Sequence, residues 1–278
     1  AGTPNQTGIG FFVPLSVGEN SVWFIDALAN FNFSDYQGYS SLINTEVAGT
    51  TISTSTRLGY RWLNGDRSWM YGVNAGYDSR PMNTGDADTG GTVYYKQDVF
   101  FQQVAASLEA VSDSLNFNVY ALVPIGDTEK RLNSAYLGGA LDTYGLDAGH
   151  SITPELNAYV GYYYQQGDLD EADGSGVKGR LAYNISNNLT LGANLSYDEA
   201  FDTRFTADVK YRFGSNEHGA QSSKKEWNTP IIRALTETVK HRDIRVHDKT
   251  ANSKCHGRGH RLFTPSTCYQ EPSNGPYN

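Results

Sequence analysis

The chain has 278 residues, of which 19% are charged and 13% are aromatic, and 30 Asp and Glu outnumber 22 Lys and Arg. This combination argues against an intrinsically disordered chain, because disordered segments are rich in charge and poor in aromatic residues. Two cysteines are too few for a disulfide framework, and no apolar run approaches the roughly 20 residues of a transmembrane helix.

Apolar and polar residues alternate along most of the first three quarters of the chain, which is typical of half-buried strands. The first segments cover residues 8–15, 22–33 and 56–62. An Asn64-Gly65-Asp66 turn, a strong hairpin signal, joins the third segment to 69–77. The later segments cover residues 103–110, 115–121, 132–148, 156–164, 177–183, 189–198 and 201–213, which makes eleven in total.

The alternating segments favour a membrane barrel over a soluble β-sandwich, which also alternates. Their length is about ten residues, which is enough for a tilted strand to cross a bilayer. Their apolar faces often end in aromatic residues, as in the girdles of outer-membrane barrels. These residues are Trp23, Phe33, Trp62, Trp69, Tyr77, Tyr164, Tyr183, Tyr197 and Phe213. We therefore predict an all-β, antiparallel up-and-down transmembrane barrel of about 12 strands.

Short and long connections alternate along the chain. Short turns are predicted near residues 16–20, 64–67, 112–114, 150–154 and 186–188. Longer polar loops are predicted near residues 34–51, 79–97, 125–133 and 165–176, with a tight loop near 198–201. Outer-membrane barrels have short periplasmic turns, long external loops and an even number of strands. A twelfth strand is therefore expected either from before residue 8 or from the C-terminal tail.

Charge separates the barrel from the tail. Residues 1–214 carry 12 basic and 24 acidic groups, whereas residues 215–278 carry 10 basic and 6 acidic groups. Such a shift indicates a domain boundary. We expect a periplasmic stub at 1–7, the barrel at 8–214 and a basic, partly disordered linker and tail at 215–278.

The segment order resembles the β-domain of inverse autotransporters, the translocator barrel of the intimin and invasin adhesins. The matching motifs are GIGFFVPL (8–15), TRLGYR (56–61), MYGVNAGYD (70–78), SLEAVSD (107–113), NVYALVP (118–124) and ADVKYRF (207–213). The resemblance implies twelve strands, a periplasmic N-terminus and a linker that passes outward through the lumen to an adhesive segment. Residues Val239, Arg242, Ile244 and Val246 match that linker. A short helix over 231–240, with Pro230 in its first turn, is also predicted.

Eleven charged residues lie on the polar faces of the predicted strands and are expected to face the lumen: Asp26, Arg57, Arg61, Asp78, Glu109, Lys178, Arg180, Arg204, Asp208, Lys210 and Arg212. They either line a selective pore or pair with one another and hold the linker. A barrel of twelve strands has a small interior, which favours a plugged state.

The tail contains two further candidate sites. Cys255 and Cys268 suggest a disulfide, because the chain is expected to be exported. With His256 and His260 they could instead bind zinc, but the spacing matches no usual zinc finger, so we predict no metal and no cofactor. The basic residues of the tail could bind an anionic surface such as lipopolysaccharide, but they more simply complement the acidic barrel, and no nucleic-acid-binding module is recognisable.

His150, Ser151 and Asp147 are the nearest approach to a hydrolase site, but no nucleophile elbow or triad spacing supports it, and we predict no enzyme. The expected function is surface display or adhesion in a bacterial-type outer membrane. The expected partners are membrane lipid, by resemblance the barrel-assembly machinery, and an extracellular surface or host receptor. A porin-like channel plugged by its tail is the alternative, and an outer-membrane enzyme is the remote one.

Overall fold

The structure, a computed structural model, describes residues 5–35, 42–88, 90–169, 172–186, 188–213 and 230–251. The strands are β1 (Gln6–Val17), β2 (Ser21–Asn32), β3 (Thr45–Ala48), β4 (Thr51–Leu63), β5 (Met70–Ala87), β6 (Asp98–Val111), β7 (Leu115–Ile125), β8 (Glu129–Arg131), β9 (Tyr136–Ala140), β10 (Asp142–Ser151), β11 (Leu156–Gln166), β12 (Gly174–Asn184), β13 (Leu189–Asp198), β14 (Asp202–Tyr211) and β15 (Val246–Thr250). A short helix, α1, covers Pro230–Ala234. No helix within the described ranges is long and apolar enough to span a membrane.

Eleven long strands form one antiparallel up-and-down sheet, which confirms the predicted fold. Each strand pairs with the next in the order β1, β2, β4, β5, β6, β7, β10, β11, β12, β13 and β14. Short turns join strand pairs at one end of the sheet, hereafter the turn end, and the connections at the other, the loop end, are longer except for the one between β13 and β14. Because side chains alternate along each strand, this pairing places all the apolar faces on one side of the sheet.

The outward side of the sheet is a continuous apolar surface. Leu108, Val160 and Phe205 expose 58%, 68% and 69% of their surface. A soluble monomer rarely exposes so extensive an apolar patch, whereas a lipid-facing band requires one. Near the turn end, aromatic rings form a row across β2, β4 and β5, in which Trp23 and Tyr60 have centroids 4.8 Å apart and Tyr60 and Trp62 5.5 Å apart. This row corresponds to a membrane-interface girdle.

The prediction of one strand over residues 132–148 is wrong. Residues 136–140 form β9, which belongs to a separate three-stranded sheet in the order β15, β9, β8, and only β10 joins the main sheet. The predicted loop 79–97 is also shorter than expected, because β5 continues to Ala87 and β6 begins at Asp98. Asn83 pairs with Asp98 and with Ala48 of β3. These extensions carry the sheet beyond the apolar band at the loop end.

The two edges of the main sheet are β1 and β14, which are not paired with each other within the described residues. In an up-and-down sheet of eleven strands, the first and last strands run in the same direction. Antiparallel closure between them therefore needs one more strand, or another odd number of strands. The twelfth strand stays a prediction.

The described part of the tail crosses the interior of the sheet. Ile231 and Ala234 of α1 pack at the turn end against Leu63, Met70 and Val111, and β15 pairs with β9 at the loop end. The predicted helix over 231–240 is wrong beyond Ala234, because the main chain from there onward is bound by side chains of the barrel wall. Polar and charged groups, rather than an apolar core, fill the space between these two ends.

Candidate functional site in the barrel lumen

Two buried ion pairs line the lumen on β4, β5 and β6. Arg57 and Asp78, which expose 2% and 1% of their surface, form two hydrogen bonds of 2.7 Å each. Gln103 Nε2 donates a third bond to Asp78 Oδ2 at 2.7 Å. Arg61 forms a similar fork with Glu109, at 2.8 and 3.1 Å. Buried charges are tolerated when they are paired and hydrogen-bonded in this way.

The strand register explains these pairs. Arg57 lies opposite Gly76 on β5, so its long side chain reaches Asp78, which faces the lumen two positions further along. Gly72 lies opposite both Arg61 on β4 and Glu109 on β6, so these two side chains meet over a residue that has none. A Cβ on Gly72 would lie 2.8 Å from the Glu109 carboxylate.

The predicted lumen residues on β12 and β14 are less buried. Arg180 pairs with Asp208. Lys178 Nζ lies 2.9 Å from Asp147 on β10. Arg204 lies at the loop end of β14, where its Nε donates to the Phe201 carbonyl at 2.9 Å. The side chains of Lys178 and Arg180 expose 25% and 33% of their surface. The charges on this side are thus partly solvated in the lumen.

One side of the lumen binds the main chain of the tail, and we call the strands β2, β4 and β5 the main-chain wall. The contacts join Arg61 Nη1 to Leu235 O (3.3 Å) and Glu237 O (2.6 Å), Val239 N to Asp26 Oδ2 (2.7 Å), Arg57 Nη2 to His241 O (3.3 Å) and Arg80 Nη1 to Ile244 O (2.7 Å). The N–H groups of Leu235, Thr236 and Glu237 still donate to carbonyls three residues earlier, whereas the Val239 N–H donates to the wall.

The opposite side, from β7 to β14, binds side chains of the tail, and we call it the side-chain wall. The contacts join Glu237 to Lys210 (3.2 Å) and Arg212 (2.7 Å), His241 Nε2 to Asp147 Oδ2 (2.6 Å) and Arg245 to Asp198 (2.8 Å). The His241 ring also stacks on Tyr120 of β7, with centroids 3.8 Å apart. Each of these contacts depends on the identity of the tail residue.

All four predicted linker residues lie buried in the barrel. Val239, Ile244 and Val246 expose 5%, 1% and 0% of their surface. The Arg242 side chain exposes 7%, pairs with Asp26 and donates to Ser55 Oγ at 3.0 Å. Along the tail, the charged Arg242 near the middle of the lumen is thus followed by the apolar Ile244 and Val246 near the loop end.

The loop end is closed by a structure that we call the outer cap, in which the tail takes part. Ile244 and Val246 pack in an apolar cluster that also contains Leu42, Val47, Met82, Ala87, Val93, Val99, Phe101, Leu132, Tyr136 and Ala140. Asp248 of β15 accepts hydrogen bonds from the main-chain N–H groups of Ile43 and Asn44 at 3.1 and 3.0 Å. Burial, together with the nearby Asp248 carboxylate, raises the pKa of Asp88.

Several site residues were not predicted. Arg80 lies in the part of β5 that extends into the predicted loop 79–97, and Asp198 lies at the end of β13, where the predicted tight loop 198–201 begins. Asp147 was considered only as a catalytic candidate. Alternation within β10 could have placed Asp147 in the lumen, because it shares a face with Thr143 and both are buried. The candidate disulfide of Cys255 and Cys268 lies outside the described residues.

The structure does not bring the hydrolase candidates together. His150 and Ser151 are neighbours on β10, so their side chains point to opposite sides of the sheet. His150 Nδ1 lies 3.1 Å from the Ser114 carbonyl oxygen, and the Ser151 hydroxyl donates to Asn157 Oδ1 at 2.7 Å. Asp147 contacts His241 and Lys178 instead.

No protein-family model matches the chain, and no curated protein matches it. A solved structure reported under "Unveiling the Mechanism Behind the in-meso Crystallization of Membrane Proteins" is similar, with 12% identity, a TM-score of 0.61 and coverage of 88% of this chain and 96% of that chain. Outer-membrane phospholipase A of Salmonella typhi, a dimer with bound calcium, has 14% identity, a TM-score of 0.42 and coverage of 74% and 78%. The Escherichia coli phospholipase has 14% identity, a TM-score of 0.40 and coverage of 74% and 77%.

Such identities concern the fold alone, and the two phospholipase TM-scores are too low to bear on activity. The exposed apolar band on the outer side of the sheet is what a barrel of this fold needs in order to face lipid. The chain has the fold of an outer-membrane β-barrel, and its location is the outer membrane of a bacterial-type cell.

Proposed function

We propose that this barrel is a translocator that holds its own C-terminal linker in the lumen and displays the following chain outside the cell. The observation that carries the proposal is the path of residues 230–251, which runs from the turn end to the loop end. In outer-membrane barrels the short turns are periplasmic and the long loops are external. On that orientation the chain leaves the lumen on the external side.

A solute channel is the less favoured function, because the tail crosses the lumen from the turn end to the loop end and contacts both walls. A cavity beside Arg242 and Asp243, lined by β1, β2, β4 and β5, has a volume of about 10 Å³. A cavity of that size holds about one water molecule. A channel function would require the tail to leave the lumen and to break its contacts with both walls.

Membrane lipid is the proposed partner of the apolar outer band, and the barrel-assembly machinery is the proposed partner during insertion. The displayed chain would meet an extracellular surface or a host receptor. The bands of exposed apolar side chains on β6, β11 and β14 support the first of these partners most directly.

The test is a site for a specific protease, followed by an epitope, placed after Asn278 and probed on intact cells. We expect cleavage from outside, because the described tail already reaches the loop end. The same insert in the Asn64–Asp66 turn is the matched control, and it should be cut only after permeabilisation. Protection of the insert after Asn278 on intact cells, with cleavage after permeabilisation, would refute display.

A further inference from the structure

The tail meets the barrel in two chemically different ways. The main-chain wall supplies three guanidinium groups that donate to carbonyl oxygens and one carboxylate that accepts a main-chain N–H. The side-chain wall supplies charges that pair with Glu237, His241 and Arg245. Carbonyl groups occur in every residue and N–H groups in every residue except proline, so the main-chain bonds of the first wall depend far less on the tail sequence than the pairs of the side-chain wall do.

Beyond the turn at Leu235 and Thr236, the wall binds every second residue of the tail, as it would in an extended chain. The bound groups there belong to residues 237, 239 and 241, an interval of two residues. In an extended chain, alternate residues repeat their orientation at about 6.6 Å. His241 has a φ of 56°, which bends the chain, and the next bound carbonyl is that of Ile244.

One tail side chain also lies on the main-chain wall. Arg242 pairs with Asp26 and donates to Ser55. Asp26 accepts the Val239 N–H with the same oxygen that faces Arg242. Asp26 and Ser55 are therefore two places on this wall where the sequence of the tail also contributes.

We infer that the main-chain wall is a binding site for extended polypeptide of largely arbitrary sequence. Its ligand class is the unfolded main chain, bound through Arg57, Arg61, Arg80 and Asp26. The side-chain wall then retains the particular segment 237–245 once it has arrived. This inference rests on the proposed display function, since it names the substrate that such a translocator would hold in transit.

The test uses the full-length protein in detergent micelles and measures amide hydrogen exchange of peptides that cover residues 235–245. In a first variant, Glu237→Gln, His241→Gln and Arg245→Gln are combined to remove the pairs with the side-chain wall. Because Asp26 still accepts the Val239 N–H and the carbonyl bonds still hold the chain against the wall, we expect exchange of the Val239 amide to stay at least tenfold slower than in the free peptide. Exchange at the rate of the free peptide would overturn the inference.

A second comparison removes one main-chain bond. Val239→Pro and Val239→Ala both replace a buried side chain, but only the proline lacks the N–H that Asp26 accepts. A hydrogen bond to a charged group predicts exchange about tenfold faster, or more, in the proline variant than in the alanine variant. Equal exchange in the two variants would overturn the inference.

Heat-dependent gel mobility identifies variants that have folded. If Val239→Pro does not fold, Asp26→Asn and Asp26→Leu give the same comparison, because the asparagine oxygen still accepts the N–H and leucine does not. Hydrogen exchange reports binding in the lumen, whereas the epitope after Asn278 reports the side of the membrane. Failure of one experiment is therefore distinguishable from failure of the other.

Discussion

Replacement of Arg61 by methionine should destabilise the barrel strongly, because Arg61 joins two strands to the tail. Its guanidinium is 1% exposed and makes two bonds to Glu109. It also donates to the carbonyls of Leu235 and Glu237. Its Cζ lies 4.6 Å from the centroid of the Phe24 ring. Methionine has a similar length and keeps much of the apolar packing, so the change isolates the charge.

The expected loss in the free energy of unfolding is about 3–5 kcal/mol, the usual cost of removing one partner from a buried ion pair. Glu109 retains only 10% side-chain exposure, so water does not readily replace the lost guanidinium. The double variant Arg61→Met/Glu109→Met leaves no unpaired charge. It should therefore lie within about 2 kcal/mol of the wild type, since apolar replacement of a buried pair is often nearly neutral.

The assay is guanidinium chloride unfolding in lipid vesicles, followed by tryptophan fluorescence and compared at equal m-values. Arg67→Met is the matched control, because Arg67 lies in an exposed turn and should cost no more than about 0.5 kcal/mol. A loss below about 1 kcal/mol for Arg61→Met would refute the reasoning. So would a double variant whose loss equals the sum of the two single losses.

Two further predictions concern the sheet. A Cβ on Gly76 would lie 1.8 Å from the Thr56 carbonyl oxygen, whereas one on Gly179 would lie 3.9 Å from its nearest neighbour. Gly76→Ala should therefore break ladder bonds and cost roughly 2–4 kcal/mol in the same unfolding assay, and a loss no larger than that of Gly179→Ala would contradict this. Leu108→Arg, in the middle of the outer band, should cost about 2–4 kcal/mol, and Leu115→Arg, next to a turn, no more than about 1 kcal/mol. Equal costs at the two positions would argue against a lipid-facing band.

The crossing strands could be predicted because lipid imposes one simple pattern on them. A strand that separates lipid from a hydrated lumen must alternate, so residues such as Ile25 and Asp26 reveal their faces from sequence alone. Alternation also placed Arg57 and Asp78 on one face. Alternation alone could not predict that Arg57 and Asp78 form an ion pair, because this depends on the strand register that sets Arg57 opposite Gly76.

The unpredicted features all depend on contacts between distant parts of the chain. Residues 136–140 were predicted to belong to one crossing strand over 132–148, but all five pair with β15, and Tyr136 and Ala140 also pack in the outer cap. The predicted helix over 231–240 was favoured by its local sequence. Beyond Ala234 the helix does not continue, because Arg61 donates to the Glu237 carbonyl and Asp26 accepts the Val239 N–H. No local pattern of the tail reveals these contacts.

The small sheet of the outer cap has a consequence for the order of folding. β8 has three residues and β9 has five, and a hairpin this short is at best marginally stable alone. Its third strand, β15, brings Val246 beside Ala140, about a hundred residues earlier in the chain. Closing so long a loop is slow, so the cap forms late, after the strands of the main sheet have paired. The final conformation of the loops at the loop end thus depends on the chain that passes between them.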